Sequence, residues 1–275
     1  MTRKPRPFLK WAGGKSRLLS ALARRVPEGF KSFHEPFLGG GALFFHLAGS
    51  GRLKRACLSD INQPLVDTYR GVQRAVDEVI EQLGEHAERH DRDHYYQVRD
   101  ADSAPGNLAA RAARMIYLNR TCYNGLYREN RAGRFNVPMG RYSNPRICDE
   151  ENLRAASRAL AGCRIECGPY SEVVARAREG DLVYFDPPYH PVSRTASFTC
   201  YDRNGFSGDD QVELSRIFRV LAVRGVLVLL SNSDTQLIHR LYAGFPRDRV
   251  AVARAISCRA DRRGRVGELI IRGTA

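Results

Sequence analysis

Four consecutive residues, Asp186-Pro187-Pro188-Tyr189, combine an anionic acceptor, a stiff backbone and an aromatic face. Two prolines restrict the backbone and remove two amide donors, so nearby carbonyls remain available as acceptors. An amino group on an aromatic base presents two N–H donors and a lone pair delocalised into its ring. An Asp oxygen and a Pro carbonyl accepting those hydrogens draw the nitrogen toward sp3 and aim its lone pair at an electrophile. Tyr189 offers a face on which an extruded base can stack. A rigid turn after a strand is the plainer reading of the same four residues.

A second group lies earlier. Phe37-Leu38-Gly39-Gly40-Gly41 is followed at Asp60 by a carboxylate, near the ~20-residue spacing at which an acidic residue meets a ribose in nucleotide-binding folds. Glycine lets backbone approach a ligand closely, and the carboxylate can accept from ribose hydroxyls. A tight turn before a helix explains the glycines alone; the spacing to Asp60 favours nucleotide. Gly13-Gly14-Lys15-Ser16 has the ending of a phosphate-binding P-loop, but Leu9 stands where that loop needs its first glycine, and no strand precedes it.

The elements that must position these groups follow from periodicity. Residues 33–37 read as a short strand entering the Gly turn, and Ala42 to Ala48 as an apolar helix. Arg55 to Ser59 is a second strand ending at Asp60. From Asn62 to about Leu83 the apolar residues keep helical period. Residues 86–105 are polar with little sign of core, and Leu108 to Leu118 is helical again. A long irregular stretch, Asn119 to Arg146, is rich in Gly, Asn, Arg and Tyr, and a loop of that length in a compact chain is usually functional.

Beyond a helix near 150–160, strand–helix alternation returns. Strands are expected at 164–167, 181–185, 225–230, 249–255 and 266–272, and helices at 171–178, 209–221 and 234–242. Alternation at both ends around a helical, loopy middle predicts one α/β core carrying an insertion from about 62 to 150.

The chain has 275 residues, 43% of them hydrophobic, and a formal net charge of +14. That charge favours a polyanionic partner. Only five of 44 basic residues are Lys, so the Arg excess also fits a GC-rich coding bias. Two of those five, Lys10 and Lys15, flank Trp11-Ala12-Gly13-Gly14, and a compact ammonium is not interchangeable with a guanidinium. No apolar run approaches the roughly 20 residues of a membrane span, and the basic Met1–Pro7 leads into too short an apolar run for a signal peptide. Seven cysteines without a close CxxC pair read as reduced thiols. A cytoplasmic protein is expected. His86, His90 and His94 would align on one helical face, but no carboxylate or Cys completes a metal site; they read as a solvated face or a non-helical stretch, and no metal is expected.

Five segments now occur in order: Phe8-Leu9-Lys10-Trp11-Ala12-Gly13-Gly14-Lys15, Glu35-Pro36-Phe37-Leu38-Gly39-Gly40-Gly41, Ser59-Asp60-Ile61-Asn62, Tyr123-Asn124-Gly125-Leu126 and Tyr184-Phe185-Asp186-Pro187-Pro188-Tyr189. Together they closely resemble the DNA adenine methyltransferase (Dam) family, the alpha-ordered N6-adenine enzymes. The likeness continues through Phe135-Asn136-Val137-Pro138, Ser231-Asn232-Ser233-Asp234 and Gly267-Glu268-Leu269.

The resemblance implies a Rossmann-like core with a mixed, mostly parallel sheet, residues 1–61 and 151–275, and an inserted, mainly helical target-recognition domain, residues 62–150. It implies S-adenosylmethionine as methyl donor, held by Trp11, Lys15, Phe37, Gly39, Gly41, Asp60 and Asp186. Asp186, Pro187, Pro188 and Tyr189 become the catalytic motif. Double-stranded DNA becomes the partner. Leu126, Arg128 and Pro138 correspond to base-contacting positions, Tyr123 and Asn124 to a wedge in the opened duplex, Arg141 to a phosphate contact, and Lys10 to the lysine that reads the first guanine of GATC. A monomer is expected, and a cognate restriction endonuclease can share the system. His190 departs from the small residue the family often places after the Tyr, and residues 84–107 match poorly.

Three other readings stay open on the residues alone: an RNA adenine methyltransferase, a cytosine-N4 enzyme (whose family more often has Ser at the place of Asp186) and a non-catalytic DNA-binding regulator. A cytosine-C5 enzyme would need a Cys nucleophile, usually after Pro, and the chain has no Pro-Cys dipeptide.

Overall fold

A computed structural model of the chain describes residues 3–11, 18–101, 107–191, 206–252 and 266–273. The strands are β1 (Phe33–Glu35), β2 (Ala56–Asp60), β3 (Arg164–Cys167), β4 (Leu182–Phe185), β5 (Leu227–Ser233), β6 (Arg247–Val252) and β7 (Val266–Gly273). The helices are α1 (Leu19–Ala23), α2 (Ala42–Gly49), α3 (Gln63–Arg74), α4 (Val76–Glu88), α5 (Arg92–Asp100), α6 (Leu108–Thr121), α7 (Glu150–Leu160), α8 (Val173–Arg176), α9 (Gly208–Val223) and α10 (Gln236–Leu241).

Among the described residues the strands form one seven-stranded sheet in the order β3-β2-β1-β4-β5-β7-β6. β1 pairs in parallel with β2 and β4, and β4 with β5, whereas β7 runs antiparallel to both β5 and β6. This is the mixed, mostly parallel α/β sheet expected. The strand order reverses between β1 and β4, and open α/β sheets bind ligands beyond the carboxyl ends of strands at such a point.

The chain divides into two compact units. The first comprises residues 1–14, 38–52 and 59–168, and the second residues 15–37, 53–58 and 169–275.

In the first unit, Asn62 caps α3 by accepting from the Leu65 amide at 2.9 Å, with a proline in the first turn. Leu65, Val66, Tyr69 and Val72 form its buried face. The continuous helix expected over 62–83 is interrupted at Ala75, whose φ of −143° lies outside helical space. The break lets α3 and α4 each lay an apolar face on α6. Residues 86–101 also contain more core than their polarity suggests. Asp91 caps α5 through the His94 amide, and Tyr95 within α5 is fully buried.

The second unit is organised around β4 and β5, both in register with apolar faces covered by α9 and α10. Ser207 and Asp210 cap α9 reciprocally, and Leu214, Phe218 and Leu221 bury its stripe against Val228, Leu230 and Ile271. The helix expected over 171–178 is a short 3-10 turn, Tyr170–Glu172, followed by α8. Among the described residues, no helix is long and apolar enough to cross a membrane.

Candidate active site

In the second unit, the parallel register pairs Phe185 with Leu230, so the next residues, Asp186 and Ser231, come side by side at the strand ends. Ser231 Oγ lies 2.8 Å from Asp186 Oδ1 and 2.9 Å from the Tyr184 hydroxyl. A carboxylate only accepts, so Ser231 gives its single proton to Asp186, and Tyr184 must donate to Ser231. Burial pushes the Tyr184 phenol well above its usual range, with nearby Asp186 adding to the effect, so the donor at the base of this chain stays protonated.

The rest of the motif is held through its backbone. Gln211 Nε2 donates to the Pro188 carbonyl at 3.0 Å, and Asn232 Nδ2 donates to Gln211 Oε1 at 3.0 Å. The His190 amide donates to Asn232 Oδ1 at 3.2 Å, and Ser233 Oγ donates to the His190 carbonyl at 2.6 Å. Gln211, Asn232 and Ser233 are buried polar residues, and each spends its groups on this loop. Because position 190 is gripped by its main chain, a histidine there leaves the grip intact. With Pro188 engaged, Pro187 carries the motif's proline carbonyl that takes no hydrogen bond among the described residues. The Tyr189 hydroxyl donates to Glu268 Oε2 at 3.0 Å. Phe37 stacks on Tyr170 with ring centroids 5.1 Å apart, and it also meets Phe185 and Phe206 edge-on.

In the first unit, Asp60 accepts from the Gly39 amide through Oδ2 and from the Asn62 amide through Oδ1, each at 3.0 Å. These bonds set the plane of the carboxylate and tie it to the Gly turn. Gly39 and Gly41 have φ of +47° and +64°, the left-handed region that favours glycine. A Cβ on Gly39 would meet Trp11 Cδ1 at 3.0 Å, and one on Gly41 would meet the Tyr69 hydroxyl at 2.9 Å. The Tyr69 hydroxyl donates to the Gly39 carbonyl at 3.1 Å. The Trp11 indole stacks on Tyr127 at 5.2 Å, so its ring plane is fixed beside the turn. Lys15 lies outside the described residues.

The same unit carries the residues that the sequence assigned to DNA. Lys10, Tyr123, Asn124, Leu126, Arg128, Pro138 and Arg141 are all exposed, while Cys122, Gly125, Tyr127, Phe135 and Val137 between them are buried. The stretch expected to be irregular from Asn119 starts as the last turn of α6, and then folds back on itself through Cys122–Met139 and Glu129–Phe135 bridges. The Tyr123 amide donates to the Pro138 carbonyl at 2.9 Å, so the two residues are neighbours. Asn124 adopts φ +55°, a conformation Asn tolerates better than most residues. Arg128 is aimed by Asn136, whose Oδ1 accepts from its Nε at 2.7 Å.

Lys10 is anchored by a residue that spacing did not reveal. Buried Asn119 accepts from the Lys10 amide at 2.7 Å, and donates to the carbonyls of Lys10 at 2.7 Å and Gly125 at 3.2 Å. The Lys10 stem crosses Gly125 so closely that a Cβ there would lie 2.5 Å from Lys10 Cδ. Its ammonium sits over the Tyr142 ring, 4.4 Å from the centroid. An Asn inside an apolar helix carries no sequence signal of this kind.

His86, His90 and His94 correct another expectation. They lie on α4, the following turn and α5, are half-buried, and surround Tyr117 rather than forming a solvated face. His86 stacks on Tyr117 at 4.7 Å, His90 Nδ1 bonds the Tyr117 hydroxyl at 2.9 Å, and His86 Nδ1 lies 3.0 Å from His94 Nε2. Burial, with His94 next, lowers the His86 pKa to about 4. The helical spacing was visible; that Tyr117 on α6 would fill the space between them was not.

A sheet reversing at β1 and β4, with a strand-end Asp-Pro-Pro-Tyr loop and a Gly turn bound to an acidic residue, defines a Rossmann-like methyltransferase. Residues 11–256 match the model of the D12 class N6 adenine-specific DNA methyltransferases, and the chain belongs to that family. It is 41% identical to the type II methyltransferase M.MjaIII of Methanocaldococcus jannaschii, across 94% of this chain and 95% of that one. It is 40% identical to the type II methyltransferase M1.LlaDCHI of Lactococcus lactis subsp. cremoris, across 97% and 94%. The DNA adenine methylase of Escherichia coli K12 is 38% identical across 98% and 95%. Membership makes DNA the substrate, adenine N6 the acceptor and S-adenosylmethionine the methyl donor.

Proposed function

We propose that the chain methylates adenine N6 within GATC in double-stranded DNA, by direct in-line transfer to a base flipped out of the duplex. The observation that carries the reading is the polarised chain Tyr184 to Ser231 to Asp186, which presents an aimed acceptor beside the Pro187 carbonyl.

The donor fits the residues of the first unit. Trp11 packs where any Cβ on Gly39 would intrude, and an acidic residue is fixed to the turn, an arrangement suited to a nucleoside with free ribose hydroxyls. Trp11, Gly39, Gly41 and Asp60 hold it, with Lys15, Phe37 and Asp186 completing the set. When bound it supplies an electrophilic sulfonium methyl.

The protein's own work is positioning and charge placement. Asp186 and the Pro187 carbonyl accept the two amino hydrogens of the flipped adenine, and so concentrate the nitrogen lone pair. Pro188 stiffens the loop, and Tyr189 stacks on the base. As the N6–methyl bond forms and the methyl–sulfur bond breaks, positive charge on nitrogen develops beside the Asp186 carboxylate. The surplus proton leaves to Asp186 or to solvent. No covalent enzyme intermediate is required, and no metal enters the proposal.

Residues 62–150 act as the target-recognition insertion on a catalytic core of 1–61 and 151–275. Lys10 reads the first guanine and Arg128 a second base edge, since ammonium and guanidinium groups bond guanine O6 and N7, while Leu126 and Pro138 pack on thymine methyls. Tyr123 and Asn124 wedge into the opened duplex, and Arg141 holds a phosphate. The enzyme works as a cytoplasmic monomer. Its relatives bear names from two settings, type II methyltransferase and DNA adenine methylase. A restriction endonuclease of matching specificity accompanies it in the first setting, and the chemistry is common to both.

Methylation-sensitive sequencing of unmethylated DNA exposed to the protein and S-adenosylmethionine tests all of this together. N6-methyladenine confined to GATC is expected. N4-methylcytosine, another context, or preferential methylation of structured RNA in competition would overturn the reading. Binding of GATC duplex without any transfer would leave a DNA-binding regulator.

A further inference from the structure

The Tyr189 hydroxyl meets Ser231 as well as Glu268. The grip of Gln211, Asn232 and Ser233 on residues 188 and 190 fixes the Tyr189 Cα and the direction of its Cβ, but not the axis of its ring. The ring is reached by Glu268. In the antiparallel register Glu268 lies opposite Ser233, one strand over from the loop, and its Oε2 accepts from the Tyr189 hydroxyl at 3.0 Å.

We infer that Glu268 is a positioning residue for the reaction, holding the far end of the Tyr189 ring and so the axis along which the stacking face lies. This rests on the reading of Tyr189 as the stacking residue.

Three observations carry it. Alternation along β7 puts Leu269 and Ile271 into the apolar core, so Glu268 and Ile270 take the opposite face. A half-buried glutamate in a chain of net charge +14 would ordinarily sit against an arginine, yet among the described residues Glu268 forms no ion pair and takes a phenol instead. Finally, the phenol is kept as a donor: burial, then Asp186, raises the Tyr189 pKa well above its usual range. Stacking depends on ring orientation, and a small tilt at the reacting centre is costly in rate.

The test uses the full chain, labelled S-adenosylmethionine and unmethylated plasmid DNA, with melting curves and cofactor binding as controls. Glu268→Ala is expected to lower kcat about ten-fold, with KM for DNA and for cofactor within about two-fold of wild type. Glu268→Gln keeps an acceptor oxygen and should recover to within about three-fold of wild type. Tyr189→Phe should match Glu268→Ala, and the double variant should be no slower than either single one. Wild-type rates in Glu268→Ala, multiplying losses in the double variant, or no recovery in Glu268→Gln would overturn the inference. If Glu268→Ala does not fold, the Gln and Phe variants decide by the same criteria. A Tyr189→Ala variant with unchanged kcat would instead defeat the stacking reading, and absence of wild-type transfer would defeat the function itself.

Discussion

Ser231 Oγ stands between the Tyr184 hydroxyl at 2.9 Å and Asp186 Oδ1 at 2.8 Å, and proton count allows only one direction of donation, toward the carboxylate. Ser231→Ala removes the donor that aims Asp186 and leaves a fully buried phenol without its acceptor. An unsatisfied buried hydroxyl costs about 1–3 kcal/mol. Urea unfolding should therefore show a loss in that range, and single-turnover transfer should slow about ten-fold or more. Unchanged chemistry in a folded Ser231→Ala protein would mean that Asp186 needs no such aim.

Asp60 should act on the cofactor and not on DNA. Asp60→Asn keeps the size but replaces one carboxylate oxygen with an amide donor, which would face the amide of Gly39 or of Asn62. Calorimetric affinity for S-adenosylmethionine should fall by about ten-fold or more, the scale of losing one or two charge-assisted hydrogen bonds. Affinity for a duplex should be unaltered. Equal losses for both ligands would point to unfolding of the turn.

Asn119 makes three hydrogen bonds that hold the main chain of Lys10 and Gly125. Asn119→Ala should destabilise the protein by about 1–3 kcal/mol, because buried carbonyls lose their donor. If Lys10 reads the first guanine as proposed, the variant should also blunt discrimination at that position. Methylation rates on duplexes altered at that single position measure the effect, and full discrimination in the variant would free Lys10 from dependence on Asn119.

The histidine cluster should make the fold sensitive to acid. His86 titrates near 4 in the folded chain, against 6.5 when unfolded, because burial and then His94, Arg89 and Arg114 disfavour its cation. The His90 pKa is also lowered, by burial and His94 against the opposing pull of Asp91. Above pH 6.5 neither state holds the His86 proton, so it has no effect. As pH falls from 6.5 toward 4 the unfolded chain takes up a proton that the folded chain refuses, and stability declines until the folded form titrates too. Melting temperatures between pH 7.5 and 5 should fall less steeply in His86→Phe. An identical slope in the variant would place the acid sensitivity elsewhere, for instance at His34, which burial also holds down.

Local signals in this chain placed its motifs on the elements expected of them wherever residue type and spacing coincided. Asp186-Pro187-Pro188-Tyr189 at a strand end and the glycines before Asp60 needed only their neighbours in sequence to be placed. Each is a constraint between residues a few positions apart, and the β4 register, Phe185 to Leu230, then delivered Asp186 to the end of its strand as the pattern implied. The helical period of 62–83 was equally plain, but periodicity does not report where a helix must stop to let two faces reach α6, and so the break at Ala75 was missed.

By itself, then, the sequence determined the Asp-Pro-Pro-Tyr segment at a strand end, the class of sheet and the family, because these depend on residue type and short spacing. Tertiary structure alone decided what steers them. Ser231 meets Asp186 across 45 positions, Glu268 meets Tyr189 across 79, and Asn119 meets Lys10 across 109. Contacts of that span arise from strand register and helix packing, which the whole chain sets together. A serine, a glutamate or an asparagine looks ordinary until the fold brings its partner within 3 Å.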